Sequence, residues 1–274
     1  MTAGLATGRA GSTVLRGLLG SAHLGPTLAV TVLVALLTGA QGLDAGTSVL
    51  VVAAVLAGQL SIGWSNDLVD LARDRSTHRD DKPLATGEGS VQAVRLACAV
   101  ALAATVVLSL AVGVAAGLVH LACVACGWAY NLGLKSTAWS WLPYAAAFGG
   151  LTYVVGLADG SLPPWWWPVG AGLLGVGAHL VNVLPDVEDD LATGVRGLPH
   201  RLGPRLIAPV AAAVLAAASV VVLVGASPPT AAAVAVGLVV LALVGLVVAG
   251  RGRVPFVAAV VIALVDAVLL VVVR

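Results

Sequence analysis

Apolar residues run through this chain in long blocks separated by short polar connections. Lipid offers the backbone no hydrogen-bond partners, so a membrane-spanning helix needs about 20 mostly apolar residues. About nine such runs are present, over residues 26–43, 47–64, 91–111, 113–130, 141–158, 166–184, 206–226, 229–249 and 254–273. Gly113 and Gly117 are the only punctuation between the third and fourth. The connections are too short for a separate soluble module and no fixed-period repeat is visible. Residues 1–274 therefore read as a single membrane-embedded domain, an all-α polytopic helical bundle. The first 25 residues carry Arg9 and Arg16 but no compact apolar core followed by a small-residue cleavage site, so no cleavable signal peptide is expected.

Composition agrees. The chain is 59% hydrophobic and 10% charged, against about 25% charged in soluble domains, and its mean hydropathy is +1.04. Such a chain is not disordered, because disorder combines low hydrophobicity with high net charge. A net charge of +1 leaves no basic excess to neutralise phosphates along a duplex, so no nucleic acid is expected as partner. Cys98, Cys123 and Cys126 lie in apolar runs and are expected to be interior residues, neither a disulfide framework nor a metal site.

Nine spans divide the connections into two sets. Arg9, Arg16, Arg73, Arg75, Arg79, Lys82, Arg95, Lys135, Arg196, Arg201, Arg205, Arg251 and Arg253 all fall on the side of the amino terminus, and of the 14 Lys and Arg only Arg274 does not. Cytoplasmic loops carry such an excess, so the amino terminus is expected in the cytoplasm. Twelve of the 14 are Arg, which together with heavy use of Ala, Val, Leu and Gly suits a GC-rich genome and a bacterial cell membrane. The opposite connections are nearly free of charge, and Trp165, Trp166 and Trp167 there read as an interfacial aromatic belt.

Ten of the 13 acidic residues fall in two short segments. The first holds Asp67, Asp70, Asp74, Asp80, Asp81 and Glu88; the second holds Asp186, Glu188, Asp189 and Asp190. Charge beside a bilayer is expensive, so its concentration needs a cause. If the second span continues through its segment, Asn66, Asp70 and Asp74 are spaced i, i+4, i+8 and share one helix face with Asp67. Asn182, Asp186 and Asp190 repeat that spacing. Both segments end spans on the cytoplasmic side, where they can face each other across one cavity. Stacked carboxylates repel unless cations sit between them, and hard oxygen donors completed by phosphate suit Mg²⁺. Interleaved Arg and Lys suit a diphosphate. At the mouth of an apolar bundle, that implies a ligand with a phosphorylated head and a long hydrocarbon tail.

These residues resemble the UbiA superfamily of intramembrane prenyltransferases. Asn66, Asp67, Asp70 and Asp74 match its NDxxDxxxD signature. Arg79, Lys82, Pro83, Leu84 and Gly87 are similar to its R…RPL..G continuation, with spacing one residue shorter and Lys for the second Arg. Asp186, Asp190, Gly194 and Arg196 match its DxxxD motif with following Gly and basic residues, and the family's nine-helix bundle agrees with the span count. The resemblance implies that Asn66, Asp67, Asp70, Asp74, Asp186 and Asp190 hold Mg²⁺ and a prenyl diphosphate, with Asp67, Asp70, Asp186 and Asp190 central to catalysis. Asn182, one turn before Asp186, adds a ligand or orients it. Arg79, Lys82, Lys135 and Arg196 would contact the phosphates. Tyr130 and Lys135 stand where members have a YxxxK element, here one residue longer.

The implied reaction is ionisation of an allylic diphosphate and capture of the cation by an aromatic or similar electron-rich acceptor, a small molecule or lipid. Two alternatives remain open: a UbiA-type enzyme that cyclises its own prenyl chain, and an ion-coupled secondary transporter, whose sites lie near the midplane on broken helices. Tyr130, Tyr144, Tyr153, Phe148, Trp139 and Trp141 are candidate cavity walls. Glu188, Asp189, Asp80, Asp81 and Glu88 are expected to be solvated or locally paired. Asp266, alone in the last span, is expected to hydrogen-bond between helices. His120 is expected to be structural, His179 is a candidate lining residue, and His23 with Arg16 marks a membrane-surface segment. No motif reports chain length or acceptor.

Overall fold

The computed structural model describes residues 13–273, so Arg9 and Arg274 lie outside the described residues. Every regular element among these is helical. Residues 13–20 form α1. Among the described residues, eight helices are long and apolar enough to cross a membrane. They are α2 (Leu24–Gln41), α3 (Ala45–Ser76), α5 (Val91–Val112), α6 (Val114–Asn131), α8 with its continuation (Trp166–Ala192), α11 (Pro204–Ala226), α12 (Thr230–Ala249) and α13 (Val254–Val272). The ninth expected span is α7 (Leu142–Ala158), apolar but only 17 residues long. Short helices α4 (Pro83–Thr86), α9 (Val187–Ala192) and α10 (Leu198–Leu202) lie in the connections.

Boundaries follow local chemistry. The α2 helix ends at Gly42 (φ 79°), a left-handed residue that only glycine takes without steric cost. Asp44 then caps α3 by accepting from the Thr47 N–H at 3.1 Å. From there α3 runs 32 residues, past the apolar stretch and through the first acidic segment, with Arg73 and Arg75 in its last turn where cations oppose the helix dipole. Gly63 lets the α1–α2 turn sit against α3, because a β-carbon there would stand 2.8 Å from the Ala22 carbonyl oxygen. That contact sets His23, the residue before α2, beside the acidic face of α3.

The second acidic segment departs from the expected continuous face. Pro185 has no N–H to donate and its ring crowds the carbonyl of the preceding turn. Helix α8 accordingly ends at Val183, residues Leu184–Asp186 tighten into a 3₁₀ turn, and α9 restarts at Val187. Asn182 and the two aspartates therefore do not share one straight stripe.

Two apolar clusters support the bundle. One joins α8, α11, α12 and α13 through residues such as Leu180, Ile207, Leu215 and Ile262. The other joins α2, α3 and α7 through Val34, Val51, Val55 and Val155. In lipid, close approach of helices depends on small residues rather than on hydrophobic drive. Gly175 on α8 serves this way: a β-carbon there would come within 2.6 Å of the Tyr144 carbonyl oxygen on α7. At the end opposite the acidic segments, Gln41 donates to Asp159 (3.0 Å) and Ser161 (3.1 Å). Trp165 is exposed there, whereas Trp167 is buried in the core and Trp166 packs over Gly225, so only the first of the three has the expected belt position. Asp266 on α13 accepts from the Ser219 hydroxyl on α11 at 2.8 Å, the expected link between helices.

Candidate active site

The end of α3, the α6–α7 connection and the α8–α9 corner converge. Asp67 is 2% exposed and one of its oxygens meets Lys82 Nζ at 2.6 Å and His23 Nε2 at 2.9 Å. Its Oδ2 is buried with no hydrogen-bond partner among the described residues. The Asp70 oxygens lie 2.5 and 2.6 Å from Lys135 Nζ. Arg73 ties the rows together: its guanidinium is 3.0 Å from Asp70, 3.6 Å from Asp74 and 3.7 Å from Asp190. Arg79 forks onto Asp81 with two contacts of 2.8 Å and reaches Asp186 at 3.2 Å. The fork holds the Asp81 carboxyl below its ordinary range and holds Arg79 still more firmly protonated. His200 on α10 closes the far side, 3.2 Å from Asp190.

Asn66 donates to the Asn131 side-chain oxygen Oδ1 at 3.1 Å, and the Asn131 amide nitrogen donates to the Ile62 backbone carbonyl and to the Ser65 hydroxyl. This fixes Asn66 at the upper rim of a cavity of about 230 Å³ between α2, α3, α6, α7, α8 and α13. Asn182 lines the same rim from α8. Of the expected wall aromatics, Tyr130, Tyr144 and Phe148 line the cavity, with Tyr130 and Tyr144 edge-on at 5.2 Å. Trp139, Trp141 and Tyr153 do not, and Trp139 is exposed. His179 is buried against Ser140 at 3.0 Å and does not line the cavity, so its role is packing. Cys123 is a cavity wall, and all three cysteines are free.

Most of the expected site residues thus stand together: Asp67, Asp70, Asp74, Asp186, Asp190, Arg79, Lys82 and Lys135 in ion pairs, and Asn66, Asn182 and Tyr130 at the rim. Arg196 is not among them. Val195 and Gly197 on either side are buried, which turns Arg196 outward, and its side chain pairs with none of these carboxylates. His23, Arg73, Asn131 and His200 are site residues that motif spacing did not single out. His23 and His200 could not be found that way, because each meets its aspartate only through tertiary packing.

Among the described residues, no three or more His, Cys, Asp or Glu form a ready cage for a metal ion. Lysine and arginine side chains stand between the carboxylates instead. The donor set is nevertheless all oxygen, one buried carboxylate oxygen is unpartnered, and Mg²⁺ prefers one or two carboxylates plus phosphate to an all-protein cage. The residues fit that ion when a phosphorylated ligand completes the shell.

The sequence profile of the UbiA prenyltransferase family matches residues 27–255. No curated protein sequence matches the chain. Among solved structures, a UbiA homolog from Archaeoglobus fulgidus bound to GPP and Mg²⁺ superposes with a TM-score of 0.69 at 17% identity, over 93% of this chain and 98% of that one. The apo structure of a UbiA homolog from Aeropyrum pernix K1 gives 0.73 at 19% identity, over 88% and 97%. A structure described as digeranylgeranylglyceryl phosphate synthase gives 0.67 at 17% identity, over 94% and 97%. At these identities the likeness concerns the fold.

Proposed function

Because the chain belongs to the UbiA prenyltransferase family, we propose that it takes a prenyl diphosphate at the charged end of the bundle, with Mg²⁺, and transfers the prenyl group to an aromatic or similar electron-rich acceptor. The observation that carries this reading is Arg73. One guanidinium touches both acidic rows, so they are no farther apart than a single cation spans. A relative of the same fold is described as binding GPP and Mg²⁺. The one-sided basic residues support a cytoplasmic amino terminus and site, and the Arg-rich composition fits a bacterial-type membrane.

Asn66, Asp67, Asp70 and Asp74 on α3, with Asn182, Asp186 and Asp190 at the α8–α9 corner, would hold the ion. When bound, Mg²⁺ supplies a hard positive charge that offsets the diphosphate and stabilises the departing oxygen. Lys82, Lys135 and Arg79 exchange their carboxylate contacts for phosphate oxygens as the head group arrives, which keeps each buried cation paired. As the allylic C–O bond breaks, its electron pair leaves with the diphosphate and these cations neutralise it. Tyr130, Tyr144 and Phe148 turn aromatic surface toward the allylic cation and, with the apolar walls, exclude water until the acceptor attacks.

The test is diphosphate release from labelled prenyl diphosphates by the full chain in detergent with Mg²⁺. Release that requires an added acceptor supports transfer. A cyclic hydrocarbon or alcohol made without one shifts the reading to cyclisation on the same fold. Release undiminished in both Asp67→Ala and Asp186→Ala contradicts the site.

A further inference from the structure

Two polar side chains that line the deep part of the cavity have no part in the chemistry above. On α6 the lining residues His120, Cys123, Gly127 and Asn131 recur every three or four positions and form one stripe down the cavity. At 1.5 Å per residue the stripe is about 16 Å long, from Asn131 near the carboxylates to His120 at the bottom. Gln59 lines α3 seven residues, about 10 Å, below Asn66. The walls between are apolar.

Hydrogen-bond accounting fixes the tautomer of His120, which is 2% exposed. Its Nδ1 lies 2.7 Å from Ser109 Oγ. The Ser109 hydroxyl gives its one hydrogen to the Thr105 carbonyl a turn earlier. Ser109 Oγ must then accept from the His120 Nδ1–H, which leaves Nε2 of the neutral ring as a bare acceptor. Nε2 lies toward Gly58 of α3, where a β-carbon would touch it at 3.4 Å and crowd Val124 at 2.8 Å, so only glycine leaves it free. Neither Nε2 nor the Gln59 amide has a hydrogen-bond partner among the described residues.

We propose that His120 and Gln59 are the length stop of the prenyl slot: a polar, water-holding floor under an apolar shaft. This rests on the prenyl-diphosphate reading of the site. Each carbon added along the shaft gains affinity by burial. The first unit that reaches the floor displaces water without replacing its hydrogen bonds, and the gain reverses. The stop therefore acts by polarity rather than by bulk, and it selects the chain length of the donor.

The test uses the full chain in detergent with Mg²⁺ and non-hydrolysable prenyl thiolodiphosphates of two, three and four isoprene units, with affinity read by calorimetry. Wild-type affinity is expected to rise with length and then drop by about tenfold at the first chain that strips the floor. His120→Leu and Gln59→Leu each move that break one unit longer and leave the shortest chain unchanged, while His120→Gln keeps it in place. A hydroxyl on the terminal carbon of the too-long chain restores binding to wild type but not to His120→Leu. A break that stays put in both leucine variants, or no break through four units, overturns the stop while leaving the site reading intact. Binding by no chain of any length removes the site reading, and the stop with it.

Discussion

The two acidic segments share a spacing and differ in almost everything else. Asn66, Asp70 and Asp74 stand on an unbroken 32-residue helix, and Asp67, Asp70 and Asp74 are 2%, 7% and 3% exposed. Asn182, Asp186 and Asp190 straddle a break at Pro185, and the Asp186 side chain is 43% exposed. In the first row each carboxylate meets a cation, Lys82 for Asp67, Lys135 and Arg73 for Asp70, and the neighbouring Arg73 for Asp74. In the second, the cations are Arg73 and Arg79, which reach across from the first segment, while His200 of α10 meets Asp190 from its own side. Equal spacing therefore gives one row buried among its own ion pairs and another, at Asp186, left facing solvent. The solvent-facing row is the half free to adjust when a head group arrives.

Substitutions can separate these roles. The largest effect is expected at Asp70. Asp70→Ala leaves Lys135 as an uncompensated buried charge and takes one of three partners from Arg73, which costs about 3–5 kcal/mol of stability and abolishes diphosphate release. Asp186→Ala should lower release by about 10²–10³-fold through lost charge stabilisation. Its stability should change by no more than about 1 kcal/mol, as for an exposed pair. Denaturant titration in detergent alongside the release assay compares the two, and equal stability losses would erase the distinction drawn here.

Restoring the helix at the break is the next test. Pro185→Ala lets α8 continue toward α9, which swings Asp186 and Asp190 away from Arg79 and Arg73. Release is expected to fall by up to about 10²-fold from the misplacement while thermal stability holds or rises. Unchanged release would mean that the corner has no positioning role. A smaller loss, about tenfold, is expected for His200→Ala, which removes the group that orients Asp190. Arg196→Ala should be nearly silent, under about twofold, because an exposed charge outside the network contributes little. A large loss there would reinstate the phosphate contact that the residue's exposure argues against.

Much of this was legible in the chain. Block length and the one-sided Lys and Arg show the nine-helix bundle, and the repeated Asx spacing marks the site. The break at Pro185 was also visible, yet the repeated interval invited a straight helix through it; proline chemistry prevailed over the pattern. His23 and His200 were not legible, since they lie 44 and 10 residues from their aspartates and arrive by packing of α1, α2 and α10. Trp166 and Trp167 misled in the opposite direction, because side chains suited to an interface can equally fill the gap over a glycine. The floor at Gln59 and His120 emerges only when two helices from different parts of the chain are set side by side.

The central claim is that both acidic rows grip one diphosphate. A structure of the full chain with Mg²⁺ and a prenyl thiolodiphosphate addresses it most directly. Ion density is expected between the phosphates and carboxylates of both α3 and the α8–α9 corner, with Lys82 and Lys135 moved onto phosphate oxygens. A diphosphate bound to one row alone, with Arg73 still clasping Asp190, would contradict it.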